Sequence, residues 1–337
     1  MIRRPPRSTR KESSAASDVY KRQLIDPQKE NYWGTPDLYI GGAEHAVLHL
    51  LYARFWHHVL FDLGVVSHPE PFKKLFHQGI ILGEDGEKMS KSKGNVLDPL
   101  ELIGQYGADA LRFTLAAMAA QGRDIKMSTS RLEGYRNFTT KTWNACRFLQ
   151  MNDCTAAETI DLATVTAPVN KWIVSEYNDA ITKTSKAIEA YRFNEAADAL
   201  YHFVWHSYCD WYVELIKPQL ANEAVETRAV AASILAGALK LLHPFMPFLT
   251  EELNQKIFGS SDLMIAADWP APVPQPDGDA VEDLRFVSKL ISDIRYLRAE
   301  MNVPLSAKPV LHVRAPSAAQ QRAMDSQVPS LILIYLI

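Results

Sequence analysis

The spacing of apolar residues changes character once along the chain, near residue 100. Before that point, Leu38-Tyr39-Ile40 is a short strand-like run and Gly41-Gly42 follows as a tight turn. From Ala43 apolar residues recur at Val47, Leu50, Leu51, Phe55, Val59 and Leu60, the three-and-four spacing of a helix. Strand, glycine turn and helix start in succession predict a unit of an α/β sheet, and ligands sit at such turns. A second unit is predicted after it, with residues 71–76 leading into a strand at Gly79-Ile80-Ile81-Leu82. A turn at Glu84-Asp85-Gly86-Glu87 comes next, since Asp-Gly is a strong turn signal.

From Pro99 onward strand signals fade and the helical period dominates. Helices are predicted over 100–118, 132–151, 169–191 and 194–216, the last marked by Leu200, Val204, Tyr208, Trp211 and Leu215 and ended by Pro218. Another runs over 227–242, a further one begins at Pro247, and a last one spans 281–301 after a Pro- and Asp-rich connection at 262–279. The fold class this predicts is an α/β half-domain followed by an α-helical bundle.

Composition narrows the partners. With 47% apolar and 22% charged residues, the chain is neither disordered nor membrane-like. Its longest apolar run, 331–337, is far shorter than the roughly 18 residues that span a bilayer, so no membrane partner is expected. Cys146, Cys154 and Cys209 are odd in number and lack CxxC spacing. Neither a disulfide framework nor a metal site is predicted, and a reducing cytoplasm fits. A net charge of -3 leaves any RNA contact to local basic faces. The ends stand apart. Residues 1–23 carry seven Lys or Arg against Glu12 and Asp18. Pro5-Pro6 argues against a transit peptide there, and the stretch is expected to be translated vector or adaptor sequence. Residues 328–337 also fit nothing around them, as a frame error or truncation would produce.

The chemistry concentrates in Gly86-Glu87-Lys88-Met89-Ser90-Lys91-Ser92-Lys93-Gly94-Asn95-Val96. Ammonium groups and hydroxyls are donors suited to phosphate oxygens, and glycines let a loop move. By composition alone this fits a solvated basic turn as well as a triphosphate clamp. The run Lys88-Met89-Ser90-Lys91-Ser92, however, resembles without mismatch the KMSKS signature of class I aminoacyl-tRNA synthetases. The resemblance implies a loop that stabilises charge as an amino-acid carboxylate attacks the α-phosphorus of ATP. Lys91 would be the principal ATP contact and Lys88 and Ser92 would assist, with ATP and Mg2+ arriving as substrate and no tightly bound cofactor.

A second constellation is Gly41-Gly42-Ala43-Glu44-His45, with His49 one turn after His45. The residues alone fit a helix start with a stabilising carboxylate, or a ribose-binding turn. Two histidines four apart also admit a metal, but no further ligand set is evident. The stretch YIGGAEHAVLHLLYARFW (39–56) resembles the leucyl enzymes, which implies that Gly41, Glu44 and His45 serve the ATP side and His49 the amino acid.

The third feature is Tyr106-Gly107-Ala108-Asp109-Ala110-Leu111-Arg112. Taken alone it is a helix start with Asp109 and Arg112 spaced to form a surface pair of little energetic weight. It resembles the junction between the catalytic domain and the helical bundle in this class. After it, Arg123, Arg131, Arg136 and Lys141 lie in a basic stretch that either faces a tRNA backbone or is merely solvated.

From residue 94 to about 315 the resemblance is to valyl enzymes, through GNVLDPLELIGQYGADALRFTLAA, Trp143-Asn144-Ala145, Tyr208-Cys209-Asp210-Trp211-Tyr212 and His243-Pro244-Phe245-Met246-Pro247-Phe248. Asn254 departs from it, where the family usually has tryptophan. Over 31–93 the resemblance is leucyl, so a chimera joined over similar DNA is one expectation. The implied organisation is a C-terminal part of a Rossmann-type catalytic domain (24–100), a connecting stem-contact region (101–165), an anticodon-binding bundle (166–315) and a truncated or out-of-family end (316–337). The implied activity is valine-tRNA ligation by a monomer with ATP, valine or leucine, and tRNA, most readily valine tRNA, as partners. The implied alternatives are leucine specificity and a non-catalytic tRNA-binding module. The resemblance also implies that the first half of the nucleotide fold, the editing domain and the C-terminal arm of valyl enzymes are absent from this chain.

Overall fold

The computed structural model describes residues 24–90, 92–120, 122–154, 160–221, 224–276, 278–304, 307, 310 and 312–326. The tail at 1–23 and the residues from 327 onward lie outside the described residues. Contacts divide the chain into two units, one of Met1–Asn95 with Ala119–Met127 and one of Val96–Met118 with Ser128–Ile337.

The first unit begins with α1 (Pro27–Trp33), whose start is set by Asp26 accepting the amides of Gln28 and Lys29 and by Pro27 in the first turn. Strand β1 (Tyr39–Gly42) pairs in parallel with β2 (Leu75–Gln78), Tyr39 opposite Leu75 and Gly42 opposite Gln78. Between them lies a helical crossover. It opens as a tight turn at Ala43–His45, widens to a π-type turn at Ala46–Leu50 and becomes α2 at Leu51–Asp62. A second parallel pair joins β3 (Ile81–Leu82) to β4 (Ile125–Lys126).

Three differences from the sequence pattern have physical reasons. The glycines Gly41 and Gly42 are the end of the strand and not a turn after it. The predicted strand at 79–82 divides, its neighbours at 75–78 forming β2 and its last two residues β3. Strand β4 is too short to show any alternation. It is held by position: a Cβ on Gly79 would lie 1.7 Å from the Arg123 carbonyl oxygen, so only glycine permits the approach. Asp124 then accepts the Ile80 amide at 2.9 Å.

The apolar face of the crossover has no cover among the described residues. Val47, Leu48, Leu51, Tyr52, Phe55 and Trp56 are each 60% or more exposed, and α2 has no buried residue. The periodicity predicted the helix correctly, yet not its burial.

The second unit is helical. Its elements are α3 (Pro99–Tyr106), α4 (Ala108–Met118), α5 (Thr129–Met151), α6 (Pro168–Glu189), α7 (Phe193–Tyr201), α8 (Val213–Leu220), α9 (Val225–Leu242), α10 (Pro247–Phe258), α11 (Gly278–Glu300) and α12 (Ala318–Ser326). The helix predicted over 194–216 is continuous but widens to a π-type stretch at His202–Tyr212, and Pro218 sits inside the last turn of α8 without ending it at once. Helix α12, in the region expected to be a truncated or out-of-family end, docks on α11. There Arg322 pairs with Asp283 at 2.9 Å, and Ala323 is buried.

The core is held by Phe113, Phe138, Ile173, Leu200, Ile234 and Leu235, all with essentially no exposure. Within it Tyr208 donates to the Ala231 carbonyl at 2.7 Å and Tyr212 to Asn170 Oδ1 at 2.8 Å. Burial raises both phenols well above their ordinary pKa, so they stay protonated donors.

Two carboxylates reach across this unit to the starts of other helices. Asp109 of α4 accepts the amides of Phe248 and Leu249 at 3.3 and 2.6 Å, capping α10, whose own N-cap residue Met246 offers no side-chain bond. Arg112 donates to the carbonyls of Pro244 and Phe245 at 2.9 and 3.3 Å. The expected surface pair of Asp109 and Arg112 is thus replaced by a clasp on residues 244–249. The Asp109 side chain is buried, and desolvation outweighs the two amides and the nearby Arg112 to raise its pKa. Glu226 at the start of α9 accepts from the Thr166 and Ala167 amides, the Thr166 hydroxyl and Asn170 Nδ2, capping α6. Burial alone would raise its pKa, but the bonds from Asn170, Thr166 and Ala167 together hold it below the ordinary glutamate value.

Two predictions follow from the clasp and the cap. Asp109→Ala leaves two helix-start amides without their acceptor and should destabilise the helical unit by about 1–2 kcal/mol in denaturant unfolding. For Glu226 the folded pKa is lowered, so its stabilisation is present above the unfolded value and lost as pH falls. Glu226→Gln should therefore give a shallower loss of helical-unit stability between about pH 5 and about pH 3 than the parent, measured by melts across that range. Identical slopes would contradict the cap.

Candidate functional site

The lysine loop hangs from the end of β3. Leu82 bridges Lys88 in antiparallel fashion, the Gly83 amide donates to the Glu87 carbonyl at 2.9 Å, and the Gly86 amide donates to the Gly83 carbonyl at 2.9 Å. Gly86 takes φ +79, a conformation that side chains resist, so the Asp-Gly turn signal is realised as a hairpin tip. Beyond it the loop is fixed by side chains that the sequence reading did not single out. Asp85 accepts the Glu87 amide at 2.9 Å and Asn95 Nδ2 at 3.0 Å. Asn95 Oδ1 accepts the Ser90 amide at 2.9 Å, and its Nδ2 also reaches the Lys88 carbonyl at 3.4 Å. The bond from Glu87, then that from Asn95, holds the Asp85 carboxyl below its ordinary pKa.

Of the three residues assigned to catalysis, Lys88 and Ser92 are exposed on this loop, while Lys91 lies outside the described residues. Ser92 Oγ is 3.1 Å from Ser90 Oγ, which in turn accepts the Lys93 amide at 3.2 Å. Lys93 is committed to Glu87 at 3.3 Å. The loop thus presents hydroxyls and an ammonium on a pinned backbone, an arrangement suited to phosphate oxygens.

The second cluster lies at the end of β1 in the same unit. The Glu44 side chain folds back over Gly42, where a Cβ would meet its Oε2 at 2.1 Å, while Gly41 has open space around it. His45 lies 3.9 Å from Glu44 and, one turn on, its ring is perpendicular to that of His49 at 6.4 Å between centroids. His49 Nε2 is hydrogen-bonded to the Tyr39 hydroxyl at 2.6 Å, and Tyr39 stacks on Phe72 at 3.9 Å. His77 Nδ1 donates to the Gly41 carbonyl at 3.1 Å, across the paired strands. Gly41, Glu44, His45 and His49 are therefore brought together as one polar turn. Of the two residues that orient it, Tyr39 was visible in sequence only as a strand residue, and His77 was not singled out. Among the described residues no group of three His, Cys, Asp or Glu can hold a metal ion.

Of the four basic residues assigned to RNA contact, the three on α5 do not share one face of that helix. Arg123 belongs to the first unit, on the segment that leads into β4. Arg131 and Arg136 are exposed on α5, five positions and so about 140° apart around the helix. Lys141 is partly buried, ion-paired with Asp210 and 4.0 Å over the Trp205 ring, while Asp210 also meets His206 at 3.1 Å. Spacing alone could not show this commitment, because Asp210 comes from a distant helix.

Comparison with known proteins places these features in a family. The description "tRNA synthetases class I (I, L, M and V)" matches residues 50–128, and "Anticodon-binding domain of tRNA ligase" matches residues 170–315. The valine-tRNA ligase of Caulobacter vibrioides is 50% identical over 269 residues, covering 77% of this chain and 30% of that protein. That of Rhizobium meliloti is 47% identical over 270 residues, covering 78% and 28%. Among solved structures, the ternary complex of Agrobacterium radiobacter K84 agnB2 LeuRS with tRNA and LeuAMS is similar with a TM-score of 0.63 and 31% identity, over 74% of this chain and 30% of that one. The chain spans less than a third of the length of these relatives. Both matched descriptions fall on the elements built above, the first across the lysine loop and the second across the bundle from α6 onward, and the chain belongs to the class I aminoacyl-tRNA synthetases.

Proposed function

We propose that this chain is part of a valine-tRNA ligase, an enzyme that activates valine with ATP and transfers it to valine tRNA. The observation that carries this reading is the identity of up to 50% to valine-tRNA ligases over most of the chain. In this reading residues 24–100 are the C-terminal part of a Rossmann-type catalytic domain. Residues 101–165 are the connecting stem-contact region, and 166–315 bind the anticodon arm.

The parallel β1–α2–β2 unit, with its polar turn at the end of β1, supports the Rossmann assignment. Gly41, Glu44 and His45 take the adenosine end of ATP, Glu44 being the acceptor for ribose hydroxyls. His49, held by Tyr39, faces the amino acid. Lys91, with Lys88 and Ser92, neutralises the triphosphate as pyrophosphate leaves, and Mg2+ arrives with the nucleotide. Cations fixed in advance where charge develops lower the barrier because they need not reorganise during the reaction.

Arg123, Arg131 and Arg136 contact tRNA phosphates. Lys141 acts differently from the other three, since its charge is already committed to Asp210 and Trp205; it shapes the surface on which RNA lies. Unpaired anticodon bases are read by stacking and hydrogen bonds from the bundle. The longer enzyme acts as a monomer in the cytoplasm. No helix among the described residues is long and apolar enough to cross a membrane.

Leucine specificity is the second reading, favoured by the LeuRS neighbour and by the leucyl-like stretch at 31–93. Because the chain spans under a third of its relatives, it carries only part of an activating site. The purified chain should give no valine- or leucine-dependent ATP–pyrophosphate exchange above background. Exchange with valine would show the chain to be self-sufficient, and exchange with leucine alone would overturn the valine assignment.

A further inference from the structure

The neck of the lysine loop is closed by a three-residue device. Asp85 stands on one side of the hairpin and Asn95 on the other, 3.0 Å apart between Oδ2 and Nδ2. Asn95 uses the rest of its amide on the loop backbone itself, accepting from the Ser90 amide and donating to the Lys88 carbonyl. Gly83 leaves the space in which the two side chains meet: a Cβ there would lie 2.7 Å from Asp85 Oδ1 and 3.4 Å from Asn95 Nδ2. The two backbone groups that Asn95 grips flank Met89, so one side chain fixes the part of the loop that carries Lys88 and Ser90. Both donors and both acceptor sites of the contact are used, and the contact is directional: position 85 must accept from position 95.

We propose that Asp85 and Asn95 are positioning residues that hold the lysine loop preorganised for the triphosphate, with Gly83 providing the room for their contact. This rests on the reading of the loop as the triphosphate clamp. An ammonium group on an unpinned loop would have to be ordered as the phosphates bind, whereas one on a pinned backbone is ordered beforehand. Neither residue touches the phosphates in this scheme; each acts through Lys88 and Ser90.

The test is limited trypsin digestion of the full 337-residue chain, timing cuts after the loop lysines against cuts within the helical unit. Asn95→Ala removes the grip on Ser90, and Asn95→Asp sets two carboxylates against each other. Each should raise the loop cutting rate about five- to tenfold, because cleavage follows the population of the open loop. The paired change Asp85→Asn with Asn95→Asp reverses the polarity of the contact. The new amide at position 85 can still accept from Glu87 and now donates across the neck, while the carboxylate at position 95 still accepts from Ser90. Only the longest contact, to the Lys88 carbonyl, is lost. The pair should return cutting to within about twofold of the parent. Unchanged cutting in the single variants, or a double variant cut as fast as Asn95→Asp, would overturn the proposal. Inorganic pyrophosphate with Mg2+ added to the parent chain tests the underlying reading separately, since it should slow loop cutting. Absence of that protection, with the cutting pattern of the single and double variants as expected, would count against the triphosphate reading while leaving the Asp85–Asn95 pinning of the loop standing.

Discussion

A helix begins with amides that no residue of its own turn can satisfy, and in a packed bundle those amides are shielded from water. The helical unit answers this with carboxylates from other helices. Asp109 serves α10, and Glu226 serves α6 together with Asn170, which in turn accepts from buried Tyr212. Each carboxylate therefore fixes both the start of a helix and its docking on a neighbour. The two differ in electrostatic setting. Glu226 has enough donors to favour its ionised form, whereas Asp109 is desolvated more than its donors repay, and Arg112 beside it secures the same turn through its carbonyls. The apolar core supplies most of the burial, but these polar contacts select one helix arrangement among many that would bury similar area.

Much of this architecture was legible in the chain. The three-and-four period placed the long helices of the bundle, and the strand, glycine and helix succession placed the parallel unit around Tyr39. The Asp85-Gly86 pair announced the turn that precedes the lysines. What escaped was non-local. Two-residue strands have no period to show, and β4 depends on Gly79 meeting Arg123 from 44 positions away in the chain. The spacing of Asp109 and Arg112 suggested a local pair, because nothing in sequence reveals that residues 244–249 lie against them. Similarly, the basic residues of α5 looked like one surface until Asp210 proved to hold Lys141.

The candidate site divides the same way. Residues that carry chemistry announced themselves by type: lysines and serines in a glycine-bounded loop, and a glutamate and histidines after paired glycines. Those that hold them did not. Tyr39 under His49, His77 against Gly41 and Asn95 against Asp85 are ordinary residues of strands and loop flanks until the hydrogen bonds are drawn. The exposed apolar face of α2 belongs with this lesson, since a periodic pattern states that a face is built to be covered without stating by what.

The lysine loop marks the class but does not choose the amino acid; the proposed valine reading rests on the likeness of most of the chain to valine-tRNA ligases. The most direct measurement is equilibrium binding of the purified chain to valine and leucine tRNA transcripts at one fixed, moderate salt concentration. Valine tRNA should bind about tenfold more tightly, a difference of ~1.4 kcal/mol. Equal affinities, or a preference for leucine tRNA, would contradict it.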